Sequence, residues 1–126
     1  MIGAIAGDII GSRFEFGHHK NSKFFPLFTD ECNFTDDTVC TIAIAEALLN
    51  TENLDDEQEC KQNMIASLKK WCRAYNRQTT FGGKFTKWFQ SEDEEPFNSF
   101  GNGSAMRVSA IPAMSYTISS TLQLAK

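Results

Sequence analysis

The chain has 126 residues and a formal net charge of −4, with 41% hydrophobic and 22% charged residues. This length and balance predict one globular domain, residues 1–126, with a modest core. The acidic charge and the lack of a basic stripe argue against nucleic-acid binding, and no run of about 18 apolar residues could span a membrane.

The N-terminal segment predicts a helix. Its apolar residues recur at the spacing of one helical face, with glycines at positions 3, 7 and 11 on another face. Those glycines predict a smooth surface on which a second backbone could pack closely, although an initial strand and turn is an alternative. Basic residues are missing before the apolar run and Asp8 interrupts it, which is not typical of a signal peptide.

Residues 17–33 predict a loop. The loop contains His18 and His19, a pair typical of a protein surface, and an aromatic run at 24–28 that we expect to fold onto the core.

A second helix is predicted over residues 36–50. Asp55 is the expected N-cap of a third, whose apolar stripe runs from Met64 to Tyr75.

The remaining sequence predicts further short helices. A fourth helix is expected over residues 80–90, followed by an acidic loop at 91–96. A Gly-Asn-Gly turn then precedes a helical run at 105–111, which Pro112 should end or kink. The tail, residues 114–126, is weakly patterned. With no convincing alternating strand, the predicted fold class is all-α.

The four cysteines predict free thiols. None is paired by the C-x-x-C spacing of zinc sites, and Cys40 and Cys72 fall on apolar helical positions as small buried hydrophobes would. We therefore expect a reducing, cytoplasmic setting. A secreted disulfide scaffold is the alternative.

The segment Phe34-Thr35-Asp36-Asp37-Thr38 carries the strongest chemical signal. Thr35 is a good N-cap, and Asp36 and Asp37 would lie in the first helical turn, where acids are favourable. The same cluster offers several hard oxygen ligands for Mg²⁺, Ca²⁺ or Mn²⁺. Both simple capping and metal binding fit this pattern. A calcium sensor does not, because its loop would alternate acids and close with Glu.

The Gly-Asn-Gly-Ser turn at 101–104 is a second candidate site. Glycines allow a ligand to approach the backbone closely, and such loops bind phosphates, although the pattern is also that of an ordinary turn. Together with a hard-cation site upstream, the turn suggests a phosphate-containing substrate beside a metal ion.

Three motifs in order resemble the ADP-ribosylglycohydrolase family, over residues 1 to about 112. They are GAIAGDIIGSRFE at 3–15, FTDDT at 34–38, and FGGKF at 81–85 with SFGNGSAMRVS at 99–109. The resemblance implies an all-α orthogonal helical bundle around two Mg²⁺ ions. It also implies hydrolysis of the bond between ADP-ribose C1″ and a protein or small-molecule acceptor.

The resemblance also implies roles for individual residues. Thr35, Asp36 and Asp37 would be metal ligands, and Glu15 would join the two aspartates in catalysis by positioning or activating water. Asp8 would be structural, bonding the backbone where helices pack. The loop that holds the ADP-ribose phosphates and distal ribose would comprise Ser99, Phe100, Gly101, Asn102 and Gly103.

One family motif has no counterpart in the sequence. Family members are usually about twice as long, and an Asp-x-Asp-Thr motif near their C-terminus supplies the remaining metal ligands; these 126 residues contain none. We therefore expect a truncated fold, the N-terminal half, that needs a complementary C-terminal half or a second copy in a homo-oligomer. A non-catalytic ADP-ribose-binding remnant and a structural interaction module are the alternatives.

Overall fold

The computed structural model describes residues 1–16 and 24–125, and every regular element in these ranges is helical. The all-α prediction is therefore confirmed. Within the same ranges, no helix is long and apolar enough to cross a membrane. The α-helices are α1 (Ile2–Gly11), α2 (Asp36–Asn50), α3 (Glu57–Tyr75), α4 (Gly83–Gln90), α5 (Gly103–Met106), α6 (Ile111–Met114) and α7 (Ile118–Leu124), and the 3₁₀ turns are Ser12–Phe14 and Val108–Ala110.

Helices α2 and α3 form the centre of the molecule. α2 spans the predicted residues, and the side chain of Thr35 accepts a hydrogen bond from the Asp37 amide. α3 is capped by Asp56 and not by Asp55, because the Asp56 carboxylate accepts the amides of Gln58 and Glu59. The two helices bury an apolar seam that the later segments cover. The core comprises Val39, Cys40, Ala43, Ile44, Leu48, Leu68, Cys72, Phe81, Phe89, Ala110 and Ile111.

The C-terminal third departs from the predicted helices. The fourth helix begins at Gly83, and the predicted run at 105–111 is split among α5, a 3₁₀ turn and α6. Pro112 does not end a helix: it lies in the first turn of α6, where its missing amide hydrogen costs nothing. The weakly patterned tail forms α7, which Thr117 and Ser120 cap reciprocally.

The N-terminal segment is helical as predicted but lies on the surface. α1 has no buried residue, and a Cβ added at glycines 3, 7 or 11 would meet nothing within 4 Å. The close packing predicted for the glycine face is thus not made by the described residues. The aromatic run is also exposed, Phe24 at 93%, so its predicted fold onto the core is wrong. Phe25 instead packs edge-on against Phe14.

All four cysteines are free, and Cys40, Cys60 and Cys72 are buried. The predicted free thiols and the burial of Cys40 and Cys72 are confirmed. His18 and His19 lie outside the described residues.

Candidate functional site

The carboxylate of Asp8 holds the turn that begins α2. Its two oxygens accept the backbone amides of Thr35 and Thr38, at 2.8 and 3.2 Å, and the hydroxyl groups of both threonines, each at 2.5 Å. Because four donors converge on one carboxylate, α1 fixes the conformation of the Thr-Asp-Asp-Thr segment. Asp8 bonds the backbone where α1 meets α2, as the sequence led us to expect.

The two adjacent aspartates carry an unfavourable accumulation of negative charge. Burial, and next the charge of Asp37, raises the pKa of Asp36 to about 6, with smaller contributions from Glu15 and Asp8. Burial and the charge of Asp8 also raise the pKa of Asp37. The carboxylates thus lie close enough to repel one another. Such repulsion is relieved by protonation or by a cation.

The metal-binding hypothesis fits these residues only in part. Asp36 and Asp37 provide carboxylate oxygens, whereas the Thr35 hydroxyl already donates to Asp8 and accepts from the Asp37 amide. Across residues 1–16 and 24–125, no group of three or more His, Cys, Asp or Glu side chains could hold a metal ion. The donor chemistry suits a hard divalent cation, but these residues do not complete a coordination sphere.

A cleft of about 730 Å³ connects Asp36 with the glycine-rich loop. This volume lies in the range of small-molecule sites, which is roughly 300–1,000 Å³. The cleft runs between the start of α2, one face of α3, α4 and residues 94–104. The sequence-predicted residues that line it are Asp36, Ser99, Gly101, Asn102 and Gly103.

The other sequence-predicted site residues do not line this cleft. Thr35 and Asp37 are the sequence neighbours of Asp36, and Glu15 is an exposed residue at the end of the first 3₁₀ turn. The Phe100 ring is fully exposed, and the Lys84 ammonium lies 5.2 Å from its centroid. Glu15 is nevertheless close enough to Asp36 for its charge to raise that pKa.

One wall of the cleft is aromatic. Phe85 and Trp88 lie one helical turn apart on α4 and stack with ring centroids 5.7 Å apart, and Phe97 packs on both. The indole nitrogen of Trp88 is buried and has no hydrogen-bond partner among the described residues. The lining of this side of the cleft is therefore largely apolar.

Arg107 is a cleft residue to which the sequence assigned no role. It lines the cavity with its guanidinium carbon 5.1 Å from the Phe85 ring centroid, and it forms no ion pair with any described carboxylate. An arginine without a carboxylate partner suits an anionic ligand. The signal that could have found it is its place in the glycine-loop motif, four residues after Gly103.

A family model described as ADP-ribosylglycohydrolase matches residues 1–126, the whole sequence. Neither the search of curated proteins nor that of solved structures finds a significant match.

Proposed function

Because a family model matches its whole length, this chain belongs to the ADP-ribosylglycohydrolase family, and we propose that it acts in cleaving ADP-ribose from an acceptor. The family consists of metal-dependent hydrolases. The bond to be cleaved joins C1″ of ADP-ribose to a protein or small-molecule group. The observation that carries the proposal is that Asp36 lines the same cleft as Ser99, Gly101, Asn102 and Gly103.

The cleft offers complementary surfaces to a nucleotide ligand. Gly101 is exposed and a Cβ at Gly103 would meet nothing within 4 Å, which leaves room for phosphate oxygens to approach backbone amides. Arg107, which has no carboxylate partner among the described residues, supplies positive charge nearby. Phe85 and Trp88 supply an apolar wall against which a planar group can lie. The ADP portion would therefore lie along the loop, with its ribose directed towards Asp36.

The carboxylates are suited to glycosidic bond cleavage. Departure of the acceptor leaves positive charge on C1″, and the ionised form of Asp36 would stabilise that charge. Glu15 would position or activate the attacking water, which replaces the acceptor at C1″. Asp37 would assist through its charge, since it lies beside Asp36 outside the cleft.

We further propose that Asp36 and Asp37 contribute part of a Mg²⁺ site. When bound, Mg²⁺ would polarise ribose hydroxyls and lower the pKa of bound water. The remaining ligands would come from a complementary C-terminal half or from a second copy of this chain. The free thiols are consistent with the proposed cytoplasmic location.

A second candidate function is ADP-ribose binding without catalysis. It is favoured by the same shortage of ligands: within the described ranges, no three carboxylate, histidine or cysteine side chains could hold a metal. Such a protein would keep the cleft and lose hydrolysis.

Two measurements separate these functions. Calorimetry with ADP-ribose, with and without Mg²⁺, tests binding, and release of ADP-ribose from ADP-ribosylated arginine tests hydrolysis. We expect binding that Mg²⁺ strengthens, and release that Asp36→Asn and Asp37→Asn both abolish. Asp30→Asn, which changes an exposed aspartate, is the matched control and should retain wild-type behaviour.

The outcomes distinguish the proposals. Binding without release, even after addition of a complementary half, would support the binding function. No heat with ADP-ribose in either condition would overturn both functions. Full release by both aspartate variants would refute the assigned carboxylate roles.

A further inference from the structure

Cys40 and Cys72 face each other across the interface between α2 and α3. Their sulfur atoms lie 3.9 Å apart, although the residues are 32 positions apart in sequence. Both thiols are free, and both side chains are fully buried. The proposed hydrolysis uses neither of them.

We infer that Cys40 and Cys72 form a reversible dithiol–disulfide site, in which a small peroxide oxidises the two thiols by two electrons. A disulfide requires a sulfur–sulfur distance of about 2.05 Å, so the two sulfurs must approach by roughly 2 Å. Side-chain rotation with a small adjustment of two helices already in contact can supply that movement. The inference does not depend on the proposed function.

The other two thiols lack this geometry. The sulfur of Cys32 contacts the Thr29 hydroxyl at 3.6 Å, and that of Cys60 donates to the Leu54 carbonyl at 3.6 Å. Among the described residues, neither has a second thiol as a contact. Only the Cys40–Cys72 pair is thus preorganised, within residues 1–16 and 24–125, for an intramolecular disulfide.

The chemistry balances with hydrogen peroxide as the oxidant. The Cys40 thiolate attacks one peroxide oxygen, the O–O bond breaks, and sulfenic acid forms as hydroxide leaves and takes up the thiol proton to give water. The Cys72 sulfur then attacks the Cys40 sulfur, the S–O bond breaks, and a second water leaves. Two thiols lose two hydrogens and two electrons, and the peroxide is reduced to two waters.

The surroundings favour Cys40 as the first sulfur to react. Its hydrogen bond with Cys72 lowers the pKa of the Cys40 thiol, and the charge of Arg107 acts in the same direction against burial. The hydrogen bond with Cys40 and burial raise the pKa of Cys72, which makes it the resolving thiol. Because both sulfurs are buried, we expect a small peroxide to react faster than oxidised glutathione.

The test is oxidation of the folded chain followed by peptide mapping. Hydrogen peroxide should produce a Cys40–Cys72 linkage and a mass loss of about two units, for two hydrogens, and dithiothreitol should reverse both. The linkage should raise the melting temperature by several degrees, because it restricts the unfolded chain. Cys60→Ala is the matched control and should form the same linkage.

Variants of the pair keep the inference falsifiable. Cys72→Ala should stop at a Cys40 sulfenic acid, detected as a mass gain of about 16 units for one oxygen, and should show no rise in melting temperature. If Cys72→Ala does not fold, Cys72→Ser provides the same comparison. Oxidation of Cys32 or Cys60 without a Cys40–Cys72 linkage would overturn the inference, and so would a linkage that forms only in urea.

Discussion

The two sides of the cleft differ in how firmly the fold holds them. On the acidic side, four hydrogen bonds to Asp8 fix Thr35 and Thr38, and Thr38 is buried. On the glycine side, residues 98–102 are exposed, and they are held by a local bond from the Gly101 amide to the Ser99 hydroxyl and by the Lys84 ammonium, which donates to the Asn98 carbonyl at 2.9 Å. The acidic side is held by α1 at an electrostatic cost, whereas the glycine side is exposed to solvent.

The largest expected effect comes from removing the Asp8 carboxylate, which tests whether this group stabilises the acidic side of the cleft. We expect Asp8→Ala to lower the free energy of unfolding by about 3 kcal/mol, since charged hydrogen bonds are lost and donors are left unpaired. Relief of repulsion with Asp36 offsets part of the loss. Urea denaturation measures the change, and Asp30→Ala, at an exposed aspartate, is the control. A loss no larger than that of Asp30→Ala would mean that Asp8 does not hold the acidic side.

The second change tests the charge of the cleft. Arg107→Gln should weaken ADP-ribose binding about tenfold, because an arginine–phosphate contact is lost, and should leave adenosine binding unchanged. Calorimetry with both ligands makes the comparison. Arg77→Gln, which removes an exposed charge outside the cleft, should leave both affinities unchanged. Equal weakening of adenosine would indicate a structural role for Arg107.

The third change measures how much the ionised Asp36 carboxylate lowers the free energy of unfolding. The pKa of Asp36 rises from 3.8 to about 6 on folding, so the folded protein binds more protons than the unfolded chain between these values. Stability therefore falls as pH rises through this window. Asp36→Asn should raise the free energy of unfolding at pH 7 by about 1 kcal/mol, a value discounted for solvent screening because the carboxylate is only partly buried.

That gain should vanish as the pH falls to about 3, where the wild-type carboxyl is largely protonated in both states. Urea denaturation at the two pH values measures it, with Asp30→Asn as the control. An equal gain at both values would show that charge is not its source.

The smallest change in stability is expected on the glycine side. A Cβ at Gly101 would meet only the Ser99 hydroxyl, at an ordinary 3.6 Å, so Gly101→Ala should alter the free energy of unfolding by less than about 0.5 kcal/mol. It should nevertheless weaken ADP-ribose binding about threefold by obstructing approach to the backbone. Gly83→Ala, outside the cleft, is the control for both measurements. A large decrease in the free energy of unfolding would mean that the fold constrains the glycine side as tightly as the acidic side.

Local signals predicted much of the fold. The span of α2 followed from a capping threonine and a buried apolar run, and both act within a few residues. The break after Met106 and the helix at Ile118–Leu124 were missed. The break depends on how short segments pack against α2, which no local periodicity records. Helix α7 buries no residue and begins at the reciprocal Thr117–Ser120 cap, a local signal that the weak apolar pattern hid.

The candidate site shows the same division. Motif order alone indicated the family and both sides of the cleft, because residue type and spacing determine which ligands a segment can bind. The sequence did not indicate that Phe100 is exposed and outside the cleft. It also did not indicate that Arg107 lines the cleft without a carboxylate partner among the described residues. Side-chain direction and pairing depend on which helices meet, and only the tertiary structure decides that.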